Sequence, residues 1–253
     1  MRLGIRVCGI LFCWILFLGC SQKESDKLRI ATAANMQFAM EAITEKYTQK
    51  TGIDCELIIG SSGKLTSQIV GGAPYDIFLA ANMKYPEAVY NSGLALNAPK
   101  VYASGKLVLW SMEPNIAVNI TSLSSPEITN IALANPKTAP YGVAAAEVLQ
   151  NYGLLEALSD KLVYGESIAQ TNQFISSKAV QIGFTSLSAV LSPTIRNKGT
   201  WIAIAPELYT PIHQGVVLVK QAKDPKKAQE FYNYLFSSEA KEILKEFGYL
   251  LYE

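Results

Sequence analysis

From Leu28 onward the chain alternates short apolar runs with longer runs of helical period, and that alternation narrows the fold more than any other feature. Leu28-Arg29-Ile30-Ala31-Thr32-Ala33 reads as a buried strand. Phe38, Ala42, Ile43 and Tyr47 follow at helical spacing, with Gly52 where a C-cap belongs. The style repeats. Strands are predicted at 55–59, 76–80, 106–110, 131–134, 179–184 and 215–219. Helices are predicted from Leu65 to Val70, from Pro140 to Gln150, from Ser167 to Ser176, from Pro225 to Phe236 and from Ser238 to Phe247, with helical and turn segments over 83–97. Such a pattern gives an α/β fold with mostly parallel sheets. Ligands of such sheets bind beyond the carboxyl ends of the strands, where the helices begin.

Four of these strand-to-helix junctions carry small polar or capping residues. They are Ala31-Thr32-Ala33-Ala34-Asn35-Met36, with Asn35 as the expected N-cap; Gly60-Ser61-Ser62-Gly63-Lys64-Leu65; Thr138-Ala139-Pro140-Tyr141-Gly142; and Gly165-Glu166-Ser167-Ile168. A helix N-terminus leaves backbone N–H groups unpaired and carries partial positive charge, so it suits an anion. Gly63 is expected to let the backbone come close to a ligand. Taken one at a time, each junction is explained by capping alone, because Ser and Asn are the best N-caps. The sequence does not show whether the four converge.

Other chemistries fall away. Apolar residues make up 49% of the 253 and charged residues 17%, enough for a sizeable core and against disorder. The formal net charge of +1 provides no broad basic face for nucleic acid. Gly60-Ser61-Ser62-Gly63-Lys64-Leu65 is not a phosphate-binding P-loop, which needs four residues between its glycines and Ser or Thr after the Lys. No G-x-S-x-G elbow is present. His213 is the only histidine, which removes His-based zinc sites and leaves any serine nucleophile without an evident base. It reads as a surface or strand-edge residue. Asp76 and Glu147 read as structural carboxylates, and the aromatic residues of 231–252 as a packed helix face.

The N-terminus is a segment of its own. Arg2 and Arg6 lead into an apolar run, 7–18, too short for the ~20 residues of a membrane span but matched to a signal-peptide core. It ends in Leu18-Gly19-Cys20, which resembles the lipobox of bacterial lipoproteins. Residues 1–19 are then the signal peptide, Cys20 the lipid-bearing first residue of the mature chain, and 20–27 a polar tether. Cys8 and Cys13 leave with the signal, so Cys55 remains as a lone thiol, reading as a small buried hydrophobe. The mature chain carries 20 basic and 21 acidic side chains, since Arg2 and Arg6 leave too.

The segments "ATAAN", "GSSGKL" followed by "QIVGGAPYDIFLAA", "NPKTAPYG" and "FYNYLFSSEAKEILKEFGYLL" resemble the molybdate-binding proteins of bacterial ABC transporters, over about residues 28–250. The resemblance implies a two-lobed periplasmic-binding-protein fold of type II. Each lobe would be a mixed, mostly parallel sheet flanked by helices, with the ligand in the cleft between them. It implies lobe one from 28–104 plus 214–253 and lobe two from 105–213. Family ligand positions map onto Asn35, Ser62, Tyr141 and Ile168. Asn35 and Ser62 are expected to donate from side chain and backbone, Tyr141 and Ile168 mainly from backbone N–H, with Ser61 as a neighbour. Some members place a Tyr hydroxyl where this chain has Thr185, whose reach is shorter.

The implied cargo is molybdate or tungstate, with no cofactor. The implied partners are a permease and its ATPase, with the chain a monomer held to the membrane on the extracytoplasmic side by lipid on Cys20. A fully deprotonated dianion accepts hydrogen bonds and donates none, so a neutral shell of donors suits it and a carboxylate repels it; Glu166 is therefore expected to point away. Within the binding class the runner-up is another tetrahedral oxyanion, sulfate first. From other classes, a hydrolase using a serine of the 60–65 loop and a sensor or scaffold remain as alternatives.

Overall fold

The computed structural model describes residues 27–251. The signal peptide, Cys20 and the tether as far as residue 26 lie outside the described residues. The first half of the chain runs β1 (Leu28–Ala33), a 3-10 turn (Ala34–Met36), α1 (Gln37–Thr51), β2 (Cys55–Gly60), α2 (Ser62–Val70), β3 (Ile77–Ala80), α3 (Lys84–Asn91), β4 (Lys100–Gly105) and β5 (Leu107–Ser111). Then come β6 (Ile131–Ala134), α4 (Pro140–Asn151), β7 (Leu162–Gly165), α5 (Ile168–Ser176), β8 (Ile182–Ser186) and the single turn α6 (Leu187–Val190). The chain ends with β9 (Thr200–Ala203), β10 (Ile212–Leu218), α7 (Pro225–Leu235) and α8 (Ser238–Glu246).

The strands form two five-stranded sheets, ordered β2-β1-β3-β10-β4 and β7-β6-β8-β5-β9. In the first, β1 pairs in parallel with β2 and β3, and β10 runs antiparallel to β3 and β4. In the second, β6 pairs in parallel with β7 and β8, and β5 runs antiparallel to β8 and β9. Four strands of each sheet thus point one way, and one opposes them. This is the expected mixed, mostly parallel arrangement, built twice. The chain passes from one sheet to the other between Gly105 and Leu107, and returns between Ala203 and Ile212.

Period-two alternation decides what each face holds. Leu28 and Ile30 of β1 face α1, α7 and α8, packing with Met40, Ile43, Tyr47 and Phe231. Ala31 faces the other way, onto Leu65 and Ile69 of α2 and Val89 of α3. In the second sheet Leu107 and Leu109 pack with Ala145, Val148 and Leu149 of α4, while Val108 and Trp110 pack with Ile175 of α5 and Val190 of α6. Both sheets are covered on both faces, which is why their central strands read as continuous apolar runs.

Three strands escape the sequence reading: β4, β7 and β9. All three lie at sheet edges, where one flank stays open and the apolar demand is weak. Their sequences, KVYASG, LVYG and TWIA, show it. The structural reading of the carboxylates holds. Asp76 is buried and accepts from the N–H groups of Arg29 (2.6 Å) and Lys223 (2.8 Å). Glu147 ties α4 to the return crossover by accepting from Thr210 N (2.6 Å) and Oγ1 (3.1 Å). Cys55 is half-buried, and burial pushes its thiol up to about 11.

Candidate functional site

Strand register brings the junctions together. β1 and β2 pair in register to their last residues, Ala33 with Gly60, so the 3-10 turn after β1 and the start of α2 lie side by side. β6 and β7 do likewise, Ala134 with Gly165, which sets the starts of α4 and α5 side by side in the other lobe. The two pairs face each other across one small, nearly closed cavity of about 10 Å³, far below the ~300–1,000 Å³ typical of drug-sized ligands. Asn35, Ser61, Ser62, Tyr141 and Ile168 all line it, together with small apolar residues such as Ala33, Ala81 and Ala139. No charged side chain is among them.

The donors fall out of helix-end geometry. Ser61 is the N-cap of α2, its Oγ accepting from Lys64 N at 3.4 Å. Ser62 is the first helical residue and is not a cap: its Oγ accepts from Ala81 N at 3.0 Å, and its own proton has no acceptor among the described residues. The Ser62 N–H is an orphan of the first turn. In α4, Pro140 has no N–H, Gly142 and Val143 donate to Ala139 O, and Tyr141 N–H has no protein acceptor among the described residues. In α5, Ser167 makes no side-chain cap, and Ile168 N–H is likewise unspent. The cavity is therefore surrounded by neutral donors at four helical starts, and its positive potential comes from the aligned peptide dipoles.

Asn35 differs from expectation. It sits inside the 3-10 turn rather than at a cap, and its side-chain amide is already engaged, donating to Gln214 Oε1 and Tyr249 Oη, both at 3.0 Å. Its carbonyl accepts from Ser188 Oγ (2.6 Å) and Tyr249 Oη (2.8 Å). The backbone N–H of Asn35 is thus the donor it has left for a ligand, and the side chain fixes the turn. Gln214, Ser188 and Tyr249, which hold Asn35, were not found from sequence. They lie far away along the chain, and no local pattern points at them.

Thr185 does not line the cavity. It is fully buried in β8 and its hydroxyl donates to Asn172 Oδ1 of α5, which turns it away from the cleft. Glu166 is exposed and pairs with Lys64 at 3.0 Å, outside the lining. Gly63 does not approach the cavity either. Its N–H donates to Thr138 O of the facing lobe at 2.9 Å. His213 lies on β10 with Nδ1 2.7 Å from Ser104 Oγ, so neither serine of the 60–65 loop has it as a base.

Tyr141 reaches in two directions. Its N–H faces the cavity, while its buried ring runs back to the crossover. There its hydroxyl has no hydrogen-bond partner among the described residues and abuts Gly105 so closely that a Cβ at 105 would lie 1.9 Å from it. Burial pushes this phenol well above the usual tyrosine range, as it does for Tyr102 and Tyr249 nearby.

Comparison with known proteins agrees with this geometry. A family model described as bacterial extracellular solute-binding protein matches residues 28–250. The molybdate-binding protein ModA of Azotobacter vinelandii is 37% identical, with 92% of each chain covered. A Bacillus subtilis protein described as a putative ABC transporter substrate-binding lipoprotein, YvgL, is 30% identical, over 94% of this chain and 95% of its own. The solved structure of the Azotobacter vinelandii periplasmic molybdate-binding protein superposes with a TM-score of 0.86 at 33% identity, covering 90% of this chain and all of that one. A two-lobed fold matched over its whole length, with the cleft lined by helix starts, leads to one assignment: the chain belongs to the bacterial extracellular solute-binding proteins.

Proposed function

We propose that the chain captures molybdate, and tungstate with it, in the inter-lobe cavity and delivers it to an ABC permease with its ATPase. The observation that carries this reading is the convergence of unpaired N–H groups from Asn35, Ser62, Tyr141 and Ile168, with the Ser61 and Ser62 hydroxyls, on a cavity lined by no charged side chain. A dianion without protons needs donors only. Phosphate often keeps a proton and gains from an acceptor, and sulfate is smaller and under-contacted in the same shell. The chain binds and releases without transforming its ligand. The lobes are taken as 28–104 plus 214–253, and 105–213, bounds that lie within two residues of the segments where the chain changes sheets, 105–107 and 203–212. As a monomer it is exported by residues 1–19 and held outside the cytoplasm by lipid on Cys20, a reading supported by the lipobox-like Leu18-Gly19-Cys20 and by the lipoprotein description of the Bacillus relative.

Calorimetric titration of the mature chain with molybdate, tungstate, sulfate and phosphate tests this. Tight binding of the first two and weak binding of the others is expected. Four flat titrations, or sulfate binding tightest, would overturn the molybdate reading. Ser62→Ala is expected to weaken molybdate binding by ~1.5–3 kcal/mol, the range for a hydrogen bond to a charged group. It should also lower folding stability by ~1–3 kcal/mol, because the buried Ala81 N–H loses its acceptor. Titration beside a urea melt separates the two effects, and unchanged affinity would reduce Ser62 to a structural serine.

A further inference from the structure

Two contacts cross the mouth of the cleft beside the cavity without touching its contents. Gly63, in the first turn of α2, donates its N–H to Thr138 O at 2.9 Å. Next to it Lys64 Nζ meets Glu166 Oε1 at 3.0 Å, both side chains more than half exposed. α2 packs on the first sheet. Thr138 leads into α4, which packs on the second sheet, and Glu166 follows β7 of that same sheet. Each contact therefore joins one lobe to the other, and neither survives if the lobes part.

Gly63 has no backbone reason to be glycine. It is helical, with no left-handed φ, and alanine is the better helix former there. The reason lies across the cleft: a Cβ at 63 would come within 3.0 Å of Thr138 Cα and 3.1 Å of both its Cβ and its carbonyl oxygen. The missing side chain is what lets α2 lie against the 138 loop, bringing the donors of the two lobes within reach of one small ion.

We infer that Gly63 against Thr138, flanked by the Lys64–Glu166 ion pair, is a closure latch that sets how long the bound anion stays; this rests on the proposed molybdate-binding role. Gly63 is a positioning residue. It donates to the facing lobe rather than to the ligand, and it acts on affinity through closure. The ion pair adds a weaker attraction that salt screens, since exposed pairs contribute little and fade within a Debye length.

The latch makes a kinetic prediction that a merely structural glycine does not. In stopped-flow binding of molybdate to the mature chain, Gly63→Ala is expected to raise koff about tenfold, as when a methyl group is forced into a packed contact, and Gly63→Leu to raise it further, with kon little changed. The ligand-free melting temperature of Gly63→Ala should stay the same or rise, because the open form has room for the methyl. Lys64→Gln should raise koff a few-fold at low salt, about the weight of an exposed pair, and not at all in high salt. Wild-type koff in both Gly63 variants, or a loss of ligand-free stability that accounts for the weaker binding, overturns the latch while leaving the molybdate reading intact. No molybdate binding by the wild-type chain overturns both, and that outcome is visible before any variant is compared.

Discussion

Replacing Gly142 by alanine is expected to cost the protein at least ~3 kcal/mol of stability, at the upper end for overpacking, and its ligand binding with it. Gly142 occupies the first turn of α4, beside Tyr141. A Cβ there would sit 2.0 Å from the carbonyl oxygen of Ala134, 2.7 Å from its carbonyl carbon and 3.0 Å from that of Asn135. These are backbone atoms at the end of β6, held between β7 and β8, so they have no flexible end to move aside. Helix propensity alone would favour alanine by up to ~1 kcal/mol, so the whole loss is steric. The melting temperature should fall by roughly 6–12 °C, at ~2–4 °C per kcal/mol for a chain of this size. Whatever folds should bind the anion more weakly, because α4 must back away and carry the Tyr141 N–H with it. The contrast with Gly63 sharpens the test. Both are first-turn glycines, but one touches backbone of its own lobe and the other touches the opposite lobe. Ligand-free stability should therefore drop for Gly142→Ala and hold for Gly63→Ala. Equal behaviour of the two variants would show that the cleft contact is not what distinguishes them.

Much of this architecture was legible in the chain because burial on both faces of a sheet writes itself into the sequence. IATA, IFLA, LVLW and IALA are runs that only a covered strand needs, and the helices between them keep a 3.6-residue period. What the sequence leaves blank follows the same physics. β4, β7 and β9 are edges, under weaker apolar demand. The glycines that permit close approach do not announce which neighbour approaches: from sequence Gly63 reads as an opening for the ligand, and it is an opening for Thr138. The site was half legible for a similar reason. Ser61, Ser62, Tyr141 and Ile168 stand at helix starts, a position that local sequence marks. Gln214 and Tyr249 hold Asn35 from 179 and 214 residues away, and their only signal is tertiary. Thr185 stands where some family members carry a longer Tyr, but its own hydroxyl is satisfied inside its lobe by Asn172.

Stability should fall steeply with alkali, and the tyrosine cluster under the crossover accounts for about 4 kcal/mol of the loss between neutral pH and pH 11. Tyr102, Tyr141 and Tyr249 are almost wholly buried, and burial raises all three phenols above the ordinary tyrosine value near 10. The folded state thus keeps protons that the unfolded chain releases above pH 10. Where the unfolded state binds fewer protons, stability declines as pH rises. Below pH 10 both states are protonated and the cluster contributes no slope. Above it each raised phenol costs about 1.4 kcal/mol by pH 11, and the loss continues until the folded state itself ionises. Urea melts at pH 8, 10 and 11 should show this, and Tyr141→Phe should remove the share of one raised phenol, about 1.4 kcal/mol of the decline by pH 11. That variant should not be less stable at neutral pH, since the Tyr141 hydroxyl is buried without a hydrogen-bond partner among the described residues and its removal leaves no orphan among them. A flat profile to pH 11, or native tyrosinate absorbance that titrates fully at the ordinary value, would contradict the argument. The cluster matters to the site because of where it stands. Tyr141 presses on Gly105 at the crossover while its N–H faces the cavity, and Tyr249 joins Asn35 of the first lobe to Ser188 of the second (2.8 Å to the Asn35 carbonyl, 3.1 Å to Ser188 Oγ). Ionising these phenols in the folded protein pushes charge into the joint between the lobes, so anion affinity should hold through the window in which stability falls and be lost only above it, where the folded phenols themselves titrate.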